Sequence, residues 1–521
     1  MSALRKSVYA VNRRAITNAL GAIAIIGSAG WATAQAQGTT SANLAMVGEP
    51  QSLDPMASTA DLVGTIMQHV YEPLFTFDAN WTIQPMLAAA LPTVTADGKT
   101  YTIAIRPGVT LHNGRALNAD DVVASLKRWM EVTPRGKALA KSVDAIDAKG
   151  AATFEIKLNK IEPALLAHLA LPSGFAAIMA KETIATPLVE FVGTGPYKFR
   201  ERKPDQFVVL VKHDAYAARS EPASGYAGRR EAKIDELRFI PVPNANTRVE
   251  GAIAGQYQFS DQLPVESFKK VSSAAGVTPV LTMPYGFPYF PTNTAQGVMT
   301  DVKIRQAFQM ALNLEDVLMA GFGEAKFYAL SAEHFPKGSS FYSDVGKGNY
   351  SKGDAAGAKK LLAEAKYDGR PIRILNSKQY DFHHRMALVM AEQLKAAGFA
   401  VQLDVVDWAT LIQRRGDATL WDVYITHSAF LPEPMLSPPQ LGVGAPGGWD
   451  SAAKKAALAE FNSEPDAAKR GALWGKVQQV IYDEVPYIRA GNFAALAATS
   501  GKLKGYTPMP WPAFWNVEVA K

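Results

Sequence analysis

Apolar residues along this chain follow two rhythms, and the place where one gives way to the other divides it. From about Ser41 to Met283, short alternating runs such as Phe154–Leu158, Gln206–Lys212 and Ile234–Pro241 stand between turn residues. That is the period-2 pattern of half-buried strands. Within this region Tyr101–Ile105 alternates as a strand, Pro107-Gly108 and Asn113-Gly114 supply two tight turns, and Val122, Leu126, Trp129 and Met130 fall on one helical face. Asn118 is the expected N-cap of that helix, with Asp121 three residues on as its capping partner. From Asp301 the rhythm becomes helix then strand: a helix over Asp354–Tyr367, a strand over Ile372–Leu375, a helix over His383–Ala397 closed by Gly398, and alternation at Val401, Leu403 and Val405. Such alternation predicts an α/β layer with partly parallel strands. Between the two textures lies Met283–Asn293, too rich in Pro, Gly and aromatics for a long helix, which reads as a crossing between two lobes. Trp421–Ile425 reads as a buried strand, and the Ala, Gly and Arg-rich stretch Arg219–Arg230 as a surface loop.

The first forty residues carry a separate message. Arg5, Lys6, Arg13 and Arg14 stand without an acid before an apolar run over Ala19–Trp31, followed by small residues at Ala32, Ala34 and Ala36. This is the pattern of an export signal, with cleavage expected after Ala34 or Ala36. Its apolar core falls short of the roughly 20 residues of a membrane span. The residues after Arg13-Arg14 fit a twin-arginine signal only in part, which favours Sec export. The chain has no cysteine, which excludes disulfides and a thiol for lipid attachment, so a freely diffusing periplasmic protein is expected. Of the formal charge of +6, four positive residues lie in the signal, leaving about +2, which is no footprint for nucleic acid. A 521-residue chain that is 48% hydrophobic predicts a packed body of more than one domain, expected as a monomer.

Five ordered segments carry a family resemblance. They are GEPQSLDP (Gly48–Pro55), HVYEPLF (His69–Phe75), the strand-turn-helix stretch Tyr101–Met130, GTGPYKF (Gly193–Phe199) and DVKIRQAFQMALN (Asp301–Asn313). In this order and spacing the chain resembles the family 5 extracytoplasmic solute-binding proteins, the dipeptide, oligopeptide and nickel receptors of bacterial ABC importers. The resemblance implies an α/β, two-lobed periplasmic binding protein of type II, cluster C-like, with an extra subdomain in the first lobe and a hinge. It divides the chain into signal (1–36), lobe I (37–284, subdomain about 80–182), lobe II (285–495) and a C-terminal return to lobe I (496–521), with a second crossing near Ala490–Ser500. The expected function is capture of a small polar solute, peptide or other organic compound, by hinge closure. Delivery would be to a permease whose ATPase partner hydrolyses ATP, since no nucleotide motif stands in this chain. The competing readings are an exported hydrolase on a similar scaffold, or a binding protein serving as periplasmic sensor or chaperone.

Candidate chemistry is sparse. No GxSxG elbow, phosphate loop or cysteine nucleophile is present, and Asp54, Glu72, Asp120 and Asp121 sit where caps and turns explain them. His383-His384 lack metal-ligand spacing, with His427 far along the chain, and read as solvated or interlobe histidines; neither metal nor cofactor is expected. The resemblance places Tyr285, Phe287, Tyr289, Asn293, Trp408, Phe430 and Trp449 around the cleft, and ligand pockets favour aromatic walls. Peptide-binding relatives hold the ligand's α-ammonium with an aspartate after the strand equivalent to Trp421–Ile425. Here Thr426–Pro434 contains no aspartate, and Glu433 is the only nearby acid. A buried ammonium without a counter-charge is costly. Either Glu433 substitutes, or the ligand is not a free-amine peptide, the reading favoured here. In that case His427 and Ser428 supply neutral hydrogen bonds, and Arg385, Arg414 or Arg415 pairs with a carboxylate.

Overall fold

A computed structural model describes residues 39–520 apart from Pro438 and Val443; the expected export signal lies outside the described residues. The backbone of the body is a mixed sheet whose main path runs Thr426–Ala429, Val277–Pro291, Asn492–Ser500, Phe259–Leu263, Ser41–Met46, Glu236–Pro241, Phe207–Lys212 and Tyr197–Lys203. Ser41–Met46 pairs in parallel with both neighbours and is largely buried, while the pairs outside it are antiparallel. Beside this sheet stand two smaller ones. One is antiparallel, with Thr93–Val94, Thr100–Ala104, Thr153–Leu158 and Val143–Ala148 in order. The other is the expected parallel layer, Val401–Val406, Ile372–Ser377 and Val423–Tyr424, with the helix Asp381–Ala396 packed on it.

Local expectations hold where caps and turns specify them. Asn118 accepts from the Asp121 amide and Asp121 returns a bond to the Asn118 amide, so the capping box of helix Ala119–Val132 forms. Val122, Leu126 and Trp129 are buried and Met130 half-buried against the first core. Gly398 takes φ +91 after the helix, and Trp421 is fully buried.

The motif blocks are pieces that dock on one another. A Cβ at Gly193 or Gly195 would lie 2.1 or 2.3 Å from the carbonyl oxygens of Val70 or His69, so only glycine allows this contact between GTGPYKF and HVYEPLF. Gly195 N–H and Tyr197 N–H donate to the Val70 and His69 carbonyls at 2.9 and 3.0 Å. His69 Nε2 accepts from Phe514 N–H at 2.9 Å, and its Nδ1 lies 3.0 Å from the Thr65 carbonyl. The imidazole thus ties the end of the chain to its beginning. Burial keeps this ring neutral, lowering its pKa to about 3. Asp54 forms a buried two-pronged pair with Arg128 at 2.5 and 3.1 Å, and Glu72 accepts from Thr194 and Tyr216 hydroxyls.

Arg219–Arg230 departs from the expected surface loop. It is irregular but packed: Tyr226 and Arg230 are buried, Arg219 donates to the Met86 and Ala88 carbonyls, and Arg230 stacks 4.1 Å over Trp515. Side-chain donors satisfy the backbone acceptors that would otherwise keep such a segment at the surface.

Two large apolar clusters organise the body. The first joins residues of Ala42–Phe259 to Ala497, Leu503, Trp511, Phe514, Trp515 and Val517; the second gathers side chains between Phe290 and Ala490. Most of Met283–Asn293 belongs to the strand Val277–Pro291, which pairs with Asn492–Ser500 along its first half and with Thr426–Ala429 and Tyr487–Arg489 along its second.

Candidate functional site

The geometry starts from that long strand. Its register against Asn492–Ser500 shifts between Thr282 and Gly286. A Cβ at Gly286 would meet the Ser428 carbonyl at 2.5 Å and the Phe493 ring at 2.8 Å, so glycine lets three segments converge there. Tyr285, next to it, accepts from Gln262 Nε2 at 2.8 Å and packs edge-on against Phe493 at 6.1 Å.

Gln262 lies in a bulge. Pairing between Phe259–Leu263 and Asn492–Ser500 slips between Ser260 and Leu263, and Gln262 adopts φ +42. Arg248 pins the distortion by donating to the Asp261 and Gln262 carbonyls, both at 2.9 Å. Bulges re-aim side chains, and here the one displayed is Asp261. Among the described residues no side chain donates to its carboxylate. Burial raises that carboxyl to about 7 against the opposing charge of Arg248, with the nearby Asp61 charge adding to the rise. Asp61, bonded by Trp511 Nε1 at 2.7 Å, is also raised by burial, although its side chain retains accessible surface. Tyr226 and Tyr285 lie close enough to feel the Asp61 charge.

On the opposite flank, strand Thr426–Ala429 carries His427 among the rings of Tyr380, Phe382, His383, Trp408 and Phe493, with centroids 5.0 to 6.1 Å away. His383 Nε2 and His427 Nδ1 are 3.0 Å apart. Of the two readings of these histidines, solvated or interlobe, the solvated one fails for His383, which is fully buried; His384 bonds Asn376 Oδ1 at 2.9 Å. Burial lowers His383 to about 2 and His427 to about 4. No group of three or more His, Cys, Asp or Glu is arranged to hold a metal among the described residues.

A second space lies where side chains from residues 77–167 and 339–470 meet. A cavity of ≈ 370 Å³ is lined by Trp81, Tyr101, Leu166, Phe341, Glu433 and Arg470, among others. Glu433, offered from sequence as a free counter-charge, is buried and held by Arg470 at 2.8 and 3.2 Å. Its charge is thus matched within the protein by Arg470.

The other candidates divide. Tyr285, Trp408, His427 and Ser428 lie around the crossing strand, with Ser428 opposite Phe287 in the ladder. Phe287, Tyr289, Phe430 and Trp449 are buried in a third apolar cluster, where Phe430 meets Trp81 edge-on at 5.2 Å. Trp449 Nε1 donates to Glu484 at 2.5 Å. Asn293 is fully buried and spends its amide on the Ala418 and Trp421 carbonyls and the Ala295 and Gln296 N–H groups. Arg385 donates to the Ala320 and Gly321 carbonyls, and Arg414 is exposed at a helix end. Sequence reasoning missed Asp61, Asp261, Gln262, Trp511 and Arg470.

Several sheets with helices around them, and a strand threading two cores, define the fold of a periplasmic binding protein. The family model "Bacterial extracellular solute-binding proteins, family 5 Middle" matches residues 82–444, and the chain belongs to that family. It is 28% identical over 496 residues to a probable peptide ABC transporter periplasmic-binding protein of Sinorhizobium fredii, covering 90% of this chain and 91% of the relative. A glutathione-binding protein of Pectobacterium atrosepticum is 28% identical, with 97% of each chain covered. In three dimensions the chain is similar to the ABC transporter substrate-binding protein CtaP of Listeria monocytogenes, with TM-score 0.80, 20% identity, and coverage of 93% of this chain and 100% of that one. The family consists of transporter binding proteins, not enzymes.

Proposed function

We propose that this protein is the extracytoplasmic binding component of an ABC import system for a small organic solute bearing a cationic group. The solute enters the space around the crossing strand Val277–Pro291, two lobes close on it about that strand and Asn492–Ser500, and a membrane permease recognises the closed form. Closure can be driven only by contacts that both lobes make with the solute. Asp61 and Asp261 on one side and His427, Ser428 and Trp408 on the other supply such contacts. The protein performs no chemistry, and energy comes from an ATPase partner. Export is through the Sec route, and the absent cysteine accords with a form without lipid.

The observation that carries the reading is Asp261, a carboxylate displayed by a pinned bulge with no side chain donating to it among the described residues. A cation there would regain the Coulomb energy that burial has made costly. This revises the preference for a ligand without a free amine, because Asp61 and Asp261 provide the acid that Thr426–Pro434 lacks. Relatives named for peptide and for glutathione fit it, since both ligands carry a free amino group. The test is calorimetric titration of the exported form with glutathione and with dipeptides, beside their N-acetylated counterparts. Binding of the free amines, lost on acetylation and in Asp261→Asn, is expected. Equal binding of acetylated ligands would overturn the cationic reading.

A further inference from the structure

His427 and His383 form a unit whose protons can be placed by elimination. Both rings are neutral, so each carries a single N–H. The 3.0 Å contact between His383 Nε2 and His427 Nδ1 requires one proton between them, on one nitrogen or the other. If His427 Nδ1 held it, the His383 proton would have to sit on Nδ1. That nitrogen is buried and has no hydrogen-bond partner among the described residues. His383 is wholly inaccessible, with the rings of Tyr380 and Phe382 at 5.1 and 4.3 Å. An orphaned buried N–H is the rarer and costlier defect; a lone pair left facing rings is more readily tolerated. The proton therefore belongs on His383 Nε2, donated to His427 Nδ1. His427 must then carry its own proton on Nε2. Its ring keeps accessible surface, and Nε2 makes no bond to protein among the described residues.

We propose that His383 is a positioning residue that locks His427 in the tautomer presenting Nε2–H as a neutral donor to a carboxylate or carbonyl oxygen of the solute. Trp408 and Tyr380, with centroids 6.1 and 5.0 Å from His427, wall that donor and fix its direction. The assignment rests on the reading of this space as the solute site, and it adds an oxygen-acceptor end to the cationic end met by Asp61 and Asp261. A neutral donor discriminates by direction more than by charge, because one N–H serves one oxygen along one line.

The test is long-range proton–nitrogen correlation NMR on the full chain labelled with [15N]histidine, with the His427 signals identified by their loss in His427→Gln. In the wild type His427 is expected to show a protonated Nε2 and a bare Nδ1, and sodium acetate, a bare carboxylate, is expected to move the Nε2 signal. His383→Phe removes the donor: His427 becomes a tautomer mixture and the acetate response falls at least severalfold, while the other histidine signals stay in place. His383→Gln, whose amide can still donate to Nδ1, restores both and serves if the phenylalanine variant does not fold. A wild-type His427 protonated at Nδ1, an acetate titration that leaves Nε2 unmoved, or a His383→Phe protein with unchanged tautomer each overturns the proposal. None of these readouts depends on Asp261, so failure here is distinguishable from failure of the cationic reading.

Discussion

Two spaces in this molecule hold acidic side chains, and they treat them in opposite ways. In the cavity beside Trp81 and Phe341, Glu433 is gripped by Arg470, whose guanidinium also lies 4.3 Å over Phe461. Around the crossing strand, Asp261 is raised on a pinned bulge and meets no side-chain donor among the described residues, with Asp61 close enough to raise its carboxyl further. A matched buried charge is architecture: both partners are needed, and neither is left over for a ligand. An unmatched one is a standing cost that a bound cation can offset. The residue type is similar in both places, and the presence of a partner decides its role.

That contrast can be broken by removing the partner. Arg470→Met should cost about 3–5 kcal/mol of stability, because it strands Glu433 in an apolar wall; a urea midpoint within error of the wild type would show that Glu433 is not held as described. Acid sharpens the comparison from another side. All eight histidines are held below their usual pKa, foremost by burial: His69, His168 and His334 to about 3, His383 to about 2, and His112, His213 and His427 to about 4, with His384 lowered less. A group whose folded pKa is depressed contributes stability above its unfolded pKa, and that contribution is lost as pH falls toward the folded value. Between pH 7 and 5 each fully buried histidine therefore removes up to about 2 kcal/mol. Asp261 and Glu433, raised instead of lowered, act in the opposite direction and offset part of the loss. Equilibrium unfolding at the two pH values should find the protein weaker at pH 5; equal stability would mean the rings are not buried neutral.

A smaller effect is expected where the two spaces approach. The edge-on contact of Trp81 with Phe430 should show a coupling of about 0.5–1.5 kcal/mol in a double-mutant cycle with Trp81→Leu and Phe430→Leu. Strict additivity would remove the contact as a link between them. Smallest of all in stability is Asp261→Asn, expected within about 0.5 kcal/mol of the wild type while affinity for free-amine ligands falls at least tenfold. A strongly destabilised Asp261→Asn protein would place this carboxylate with Glu433, among the structural charges.

Much of the scaffold was legible because it is specified locally. Asn118 and Asp121 write a helix start, Gly398 a helix end, and the alternation after Asp354 a parallel layer, each within a few residues. The site was less legible because its decisive contacts are remote in sequence. His383 finds His427 44 residues away, and the bulge at Gln262 depends on the fit between two strands more than two hundred residues apart. Arg219–Arg230 misled for a related reason. Its glycines and arginines look solvent-facing until the Met86 and Ala88 carbonyls and the Trp515 ring arrive to receive the guanidinium groups.

The bond from Phe514 N–H to His69 also bears on the order in which the molecule can be made. The first core needs Ala42 and Leu44 from the start of the described chain and Trp511, Phe514 and Val517 from its end. A chain emerging from a ribosome or a membrane pore N-terminus first delivers Phe514 445 residues after His69. No product that stops short of Trp511 can close that core, and contacts so distant in sequence make for slow folding. The newly made protein thus stays pliable until Trp511, Phe514 and Val517 have arrived.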